Sequence, residues 1–311
     1  MSRYPYEPVS FEKLRTIPLA ERGGKVTTAH FAKPIGSGST VEELLDSLPH
    51  LLAADSLRAI VAAIHEARRR DRAVIFAMGG HVIKCGLAPI LIDLAKRGLV
   101  TAFAMNGSAA IHDFEIALAG QTSEDVEAVL PDGQFGSAEE TGREMNNAIR
   151  PGLGWGEALG ERLGQIAMFP SYSLLHQAYA LNVPVTIHAA IGTDTPHTHP
   201  AANGAAIGAA THHDFRLFCT LVTRIHAGGV FVNLGSAVVM PEVFLKAISA
   251  VRNLGHPLSD FTTANFDFIQ HYRPTQNVVH RPHANAGGRG YAITGHHELM
   301  IPLLGALLAN A

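Results

Sequence analysis

Four side chains that could bind a metal or move a proton share one short stretch of the chain: His188, Asp194, His197 and His199. Imidazole and carboxylate are tetrahedral zinc ligands, and an H-x-H pair is compatible with such a site, although no HExxH or paired-cysteine motif accompanies it. This would make a metal-dependent hydrolase or lyase. With Gly192 and Thr193 alongside, the stretch reads first as a polar loop for a substrate or cofactor, with the metal site and purely structural histidines as the alternatives. His188 and His197 are candidates for general acid/base work, because an unperturbed imidazole changes charge near neutral pH. Glu242 is the third acid/base candidate; its other role is a carboxylate answering the dipole at a helix start. The chain holds eighteen histidines, several of them paired, as at His212/His213, His280/His283 and His296/His297. The last pair is expected to cap a helix, and Trp155 and Cys219 to serve packing.

A second kind of chemistry is anion binding. Residues 106–113, NGSAAIHD, follow an apolar run and open a helix, so the free amides around Asn106, Gly107 and Ser108 could hold a phosphate while Asp113 reaches a ribose or an amine. The segment lacks the GxGxxG spacing, and a plain strand-to-helix turn remains the alternative. Gly79-Gly80-His81 and Gly235-Ser236 repeat the pattern, each a run of apolar residues emptying into glycine, where backbone can approach a ligand closely.

These turns need strands behind them. Ala73 to Met78 and Val100 to Met105 are apolar runs of strand length that flank a helix ending at Gly98, which makes one βαβ unit. Further strands are expected at Val183 to His188, Val230 to Leu234, Phe261 to Ala264 and Gly290 to Ile293. Helices are expected from the Thr40/Glu43 capping box to Arg68–Arg70, and near Ser123–Val129, Ala138–Ile149, Gly156–Ile166, Asp214–Ile225, Glu242–Asn253 and His296–Leu308. The alternation predicts an α/β fold: a doubly wound, largely parallel sheet with helices on both faces, Rossmann-like. Residues 1–39, rich in proline and glycine, read as an extended arm that wraps a neighbour. Residues 40–311 read as a single α/β domain, with no repeat and no low-complexity linker.

Composition narrows the function. A net charge of −3 over 311 residues gives no footprint for nucleic acid or an anionic membrane. No run approaches the length of a membrane span, and the first residues lack a signal-peptide core. Two cysteines rule out a disulfide framework and fit a reducing, cytoplasmic location. With 47% hydrophobic and 16% charged residues, the chain is expected to bury surface in a homo-oligomer around a small-molecule site.

The series of strand ends resembles the deoxyhypusine synthase family across most of Ala73 to Leu308. The turns at Gly79 to Gly86 and Asn106 to Asp113 look like the family's first two loops. PVTIHAAIGTD is similar to its acidic loop, and NLGSAVVMPE to its glycine-rich turn. The resemblance implies NAD as cofactor, touched by Thr263 and Ala264 in FTTAN and by Ile293 and Thr294 in YAITG. It also implies tetramers with sites at subunit interfaces. His81, Asn106, Gly107, Ser108, Asp113, Asp194, Gly235, Ser236, Thr263, Ala264 and Thr294 are therefore the expected cofactor contacts, with no residue assigned to a metal.

The departures change the expected chemistry. No lysine follows Lys246, whereas the family's imine-forming lysine lies just before the last strand. Arg281 cannot replace it, because a delocalised guanidinium does not form an imine. Ile111-His112 stands in place of the family's acidic pair, where His112 could tune the cofactor or substrate end, and Pro241-Glu242 in place of its histidine. Hydride transfer on a different small substrate, an amine or polyol, is the leading expectation. A nucleotide-binding protein without catalysis is the third, after the metal enzyme.

Overall fold

The computed structural model describes residues 3–310, so the first two residues of the expected arm and Ala311 lie outside the described residues. Six strands form: β1 Val74–Met78, β2 Ala102–Asn106, β3 Val185–His188, β4 Val230–Leu234, β5 Thr262–Asp267 and β6 Arg289–Thr294. β1 to β4 are buried along almost their whole length, the burial expected of parallel strands covered on both faces. All pairings are parallel, in the order β3-β2-β1-β4-β5-β6. Met78 lies level with Met105 on one side and Leu234 on the other, so the carboxyl ends of the central strands finish together.

Alternation along β1 divides the core. Val74, Phe76 and Met78 face Leu57, Ile60 and Ile64 of helix Leu52–Arg69, together with residues of helices Ala88–Lys96, Gly107–Ala119 and His297–Asn310. Ile75 and Ala77 belong to the opposite layer, with Phe218 of helix Gly204–Thr223 and Phe244 of helix Val239–Asn253. In that layer Phe231 and Phe244 stack, with ring centroids 3.6 Å apart. The sheet is thus doubly wound, and the strand order reverses between β1 and β4. In open α/β sheets that reversal leaves a crevice at the carboxyl ends where ligands bind.

Several boundaries differ from expectation for local reasons. β5 continues three residues past Ala264 because its polar residues are satisfied inside the sheet: Asn233 Nδ2 donates to Asn265 Oδ1 at 2.7 Å, and Asn265 Nδ2 donates to Gln270 Oε1 at 2.8 Å. The helix expected to begin at Asp214 begins at Gly204, where Asn203 Oδ1 accepts from Ala206 N and caps an alanine-rich turn. Helix Leu174–Ala180 lies in a stretch with no assigned element, and Thr275–His280 is a turn of π-helix before β6. The arm makes 3₁₀ turns at Leu19–Glu21 and Thr28–His30 and exposes Tyr4, Tyr6, Val9 and Phe11 at 75–80%.

Candidate functional site

Three glycines bring the loops together at the reversal point. Gly79 N donates to Leu234 O at 3.1 Å, and a Cβ on Gly79 would lie 2.8 Å from Gly235 O. Only a glycine lets the β1 and β4 turns meet at this separation. Gly80 opens the short helix Gly80–Lys84, and its missing side chain is the space taken by Ser108 Oγ, 2.2 Å from a built Cβ. Gly235 adopts φ +63°, and a Cβ there would lie 2.4 Å from His297 Cε1. The β1, β2 and β4 turns and the helix after β6 therefore converge on one point.

The titratable groups at that point were not all expected. His81, exposed at the end of β1, sits with its Nδ1 2.9 Å from Nδ1 of the fully buried His297. His297 Nε2 is buried without a hydrogen-bond partner and lies 3.8 Å from Asp267 Oδ1 at the end of β5. Burial pushes the His297 imidazole below its ordinary value, against the pull of Asp267. Cys85 Sγ lies 3.6 Å from His81 Nδ1 and 4.0 Å from Glu298 Oε2. Burial, then the Glu298 charge, raise its thiol. Phe268, tilted against His81 at 5.6 Å, closes one side. Of these, only His81 was an expected contact. Asp267 escaped notice because β5 reads from sequence as ending at Ala264, and His297 because a histidine at a helix start passes for a cap.

The β2 turn is already occupied by the protein itself. Asn106 Oδ1 accepts from Ala109 N at 2.9 Å and caps helix Gly107–Ala119. Beside it, a Cβ on Gly107 would lie 2.1 Å from the Asp194 carboxyl carbon, so the carboxylate of Asp194 sits where an incoming anion would meet the helix end. Asp194 Oδ2 also accepts from Ala190 N at 2.8 Å, and burial raises its carboxyl. Asp113, expected to reach a ribose, instead points away. It is fully buried and accepts from Ser173 Oγ, Leu174 N and Leu175 N at 2.7, 2.7 and 3.0 Å. It fastens the start of helix Leu174–Ala180, and burial pushes its carboxyl to about 6. Asp113→Ala leaves two buried amides unmet and should cost about 2–6 kcal/mol in urea unfolding, at about 1–3 kcal/mol per orphaned donor, with NAD affinity unchanged.

The His188/Asp194/His197/His199 group does not converge. His188 is buried edge-on to Phe215 and Phe218, shares a 3.0 Å hydrogen bond with Thr186 Oγ1, and is held down to about 3 by burial. It is neutral at physiological pH and faces phenyl rings, a poor position for a base. His199 Nε2 lies 3.0 Å from Glu139 Oε2. His197 stacks on Trp155 at 6.3 Å, and both of its ring nitrogens are buried without a hydrogen-bond partner. Among the described residues, no three His, Cys, Asp or Glu side chains are arranged to hold a metal ion.

The remaining expected contacts divide between the two ends of the sheet. Thr294 is exposed at the carboxyl end of β6, level with Asp267. Ser236 Oγ accepts from Met240 N and starts the helix after β4. Thr263 and Ala264 lie at the second and third positions of β5, below that edge. Thr263 Oγ1 donates to Val278 O at 2.5 Å and lies 2.8 Å from His283 Nε2, while Ala264 is core. Glu242 accepts from Lys246 Nζ and Asn277 Nδ2 at 3.2 and 3.0 Å and pairs with Arg273 at 3.3 Å. Slight burial pulls its carboxyl up, but these partners outweigh it and hold it below the ordinary range.

No protein-family model matches the chain, and no curated protein does. Solved structures do. A protein from Methanococcus maripaludis S2 assigned to the LOR/SDH group aligns at a TM-score of 0.52 and 16% identity, over 88% of this chain and 71% of the other. An Entamoeba histolytica protein assigned as a deoxyhypusine synthase aligns at 0.54 and 13%, over 89% and 95%. AgrE in ternary complex with ornithine and NAD+ aligns at 0.53 and 14% over 82% of this chain, which spans only 32% of AgrE. At these identities the likeness is one of fold: the chain has the α/β fold that these LOR/SDH, AgrE and deoxyhypusine synthase structures share.

Proposed function

We propose that the protein is an NAD-using enzyme that moves a hydride to or from a small amine or polyol at the carboxyl edge of β1 and β4. The observation that carries this reading is the meeting of Gly79, Gly80 and Gly235 where the strand order reverses. The residues present fit a dinucleotide. Gly235 is partly accessible, with the exposed side chains of Val238 and Phe268 beside it to pack on a planar ring, and His81 and Thr294 offer polar contacts. The AgrE structure of the same fold holds NAD+ together with ornithine, an amine. When bound, NAD would supply the hydride acceptor.

Aminobutyl transfer through a lysine is not part of this reading. The segment before β6 carries Arg281, which donates to Asn277 Oδ1 and Tyr272 Oη, and no lysine. The exposed apolar side chains of the arm support a homo-oligomer, a tetramer by resemblance, because apolar surface of this extent is stable when covered. Native mass spectrometry of freshly purified protein tests both parts. It should show a multiple of the 33.1 kDa chain with NAD bound or taken up on titration. No binding of NAD or NADH by calorimetry at about 1 mM, a free energy weaker than about 4 kcal/mol, would overturn the cofactor reading.

A further inference from the structure

We infer that His81 is the proton-carrying group of this site and that the buried His297 and Asp267 behind it set its protonation. This rests on the reading of the crevice as a redox site. Three side chains from three elements line up: Asp267 Oδ1, 3.8 Å from His297 Nε2, then His297 Nδ1, 2.9 Å from His81 Nδ1. The 2.9 Å contact requires one nitrogen to donate and the other to accept. The Asp267 charge, together with the Phe266 carbonyl to which the His297 ring also donates, decides which. The Asp267 carboxylate favours the proton of His297 on Nε2, so His297 Nδ1 accepts from His81 Nδ1–H and the lone pair of His81 falls on Nε2, 3.7 Å from Cys85 Sγ. At 3.8 Å Asp267 is beyond hydrogen-bond range and acts through its charge, which is little screened because it is 3% exposed.

The proton balance is simple. As the substrate O–H or N–H bond breaks, its proton forms an N–H bond at His81 Nε2. When bound, NAD would supply the acceptor for the neighbouring C–H pair as hydride, which would leave C=O or C=N on the substrate. The imidazolium is held by His297 in front of Asp267 and later returns the proton to solvent. The arrangement places a neutral, oriented imidazole between a surface base and a buried carboxylate, the logic by which a base is held in one tautomer. His297 and Asp267 are positioning residues. Other titratable or charged groups lie around the pair: Cys85 touches His81, Lys84 acts on the Cys85 thiol, Glu298 acts on His297, and His296 stacks on Phe268, which packs against both rings. Glu298 is half exposed, at 51%, and its charge is correspondingly screened.

The test reads His81 directly. Diethyl pyrocarbonate acylates neutral imidazole, so the rate of modification at His81, mapped by mass spectrometry from pH 5 to 9, gives its protonation midpoint in the whole protein. Asp267→Asn keeps the acceptor that Phe268 N uses at 2.8 Å but removes the charge, and should move the midpoint down by about one pH unit. Asp267→Glu should restore it. In a His297→Gln background, Asp267→Asn should move the midpoint by less than it does in the wild-type background, because only the direct pull of the charge remains. If His297→Gln does not fold, the Asn and Glu variants decide alone. An unchanged midpoint in folded Asp267→Asn overturns the relay. A shifted midpoint in a protein that fails to bind NAD supports the relay and sinks the cofactor reading instead.

Discussion

Gly235→Ala is expected to lower NAD affinity by about ten- to a hundredfold. Two costs act together. A side chain at φ +63° is strained by about 1–3 kcal/mol, and its Cβ would lie 2.4 Å from the His297 ring. The ring cannot retreat without breaking its contact with His81, since it is fully buried. The alanine variant therefore displaces the His297–His81 pair and the β4 turn together; the backbone strain lowers stability with or without NAD, and the displaced turn removes cofactor contacts, where each 1.4 kcal/mol lost is about tenfold in affinity. Calorimetric titration with NAD checks it. Wild-type affinity in a folded Gly235→Ala protein would show that the cofactor does not approach this turn.

Asp214→Asn should make the protein more stable than wild type above pH 7, by about 2–4 kcal/mol, and remove a pH dependence. Asp214 is fully buried in helix Gly204–Thr223, with one oxygen accepting from Gly156 N and Ile187 N at 3.0 and 2.8 Å and Trp155 N a further backbone donor to the carboxyl. Burial outweighs those hydrogen bonds and pushes its carboxyl up to about 7 from 3.8. The folded state thus binds a proton that the unfolded state releases between those values. Asp214 costs least below pH 4, and its contribution worsens as pH rises to about 7, at about 1.4 kcal/mol per pH unit. Asparagine mimics the protonated acid and keeps both hydrogen bonds. The difference between variant and wild type in urea unfolding, measured at pH 5 and pH 8, isolates this group from Asp113 and His188. A difference that does not grow with pH would refute it.

The alternation of apolar runs and glycine turns made the central strands and the sheet class legible from sequence, because β1 to β4 are short buried runs that are apolar except for Thr186 in β3 and the polar residues at or next to the ends of β2, β3 and β4. β5 was cut short because Asn265 and Asp267 look like loop residues until their partners across the sheet are known. The short reading hid Asp267 at the carboxyl edge, while Thr263 and Ala264, named by resemblance, lie at the second and third positions of the same strand. The histidine count pointed to residues 188–199, yet the pair that meets, His81 and His297, is separated by most of the chain. Spacing along a sequence cannot reveal a contact made by the order of strands. His188 illustrates the converse, since its neighbours in sequence suggested chemistry and its neighbours in space are phenyl rings.

The seat of Asp194 on Gly107 bears on which molecules the crevice can admit. Helix Gly107–Ala119 brings about half a positive charge to its first turn, and a tethered carboxylate stands beside that charge at all times. A visiting phosphate has to evict a tenant that cannot diffuse away. Anionic groups are therefore steered off the β2 side of the crevice and toward the β1 and β4 turns, where no acidic side chain sits on the glycines. Removing that tenant with Asp194→Gly would turn a self-sealed helix end into a vacant one.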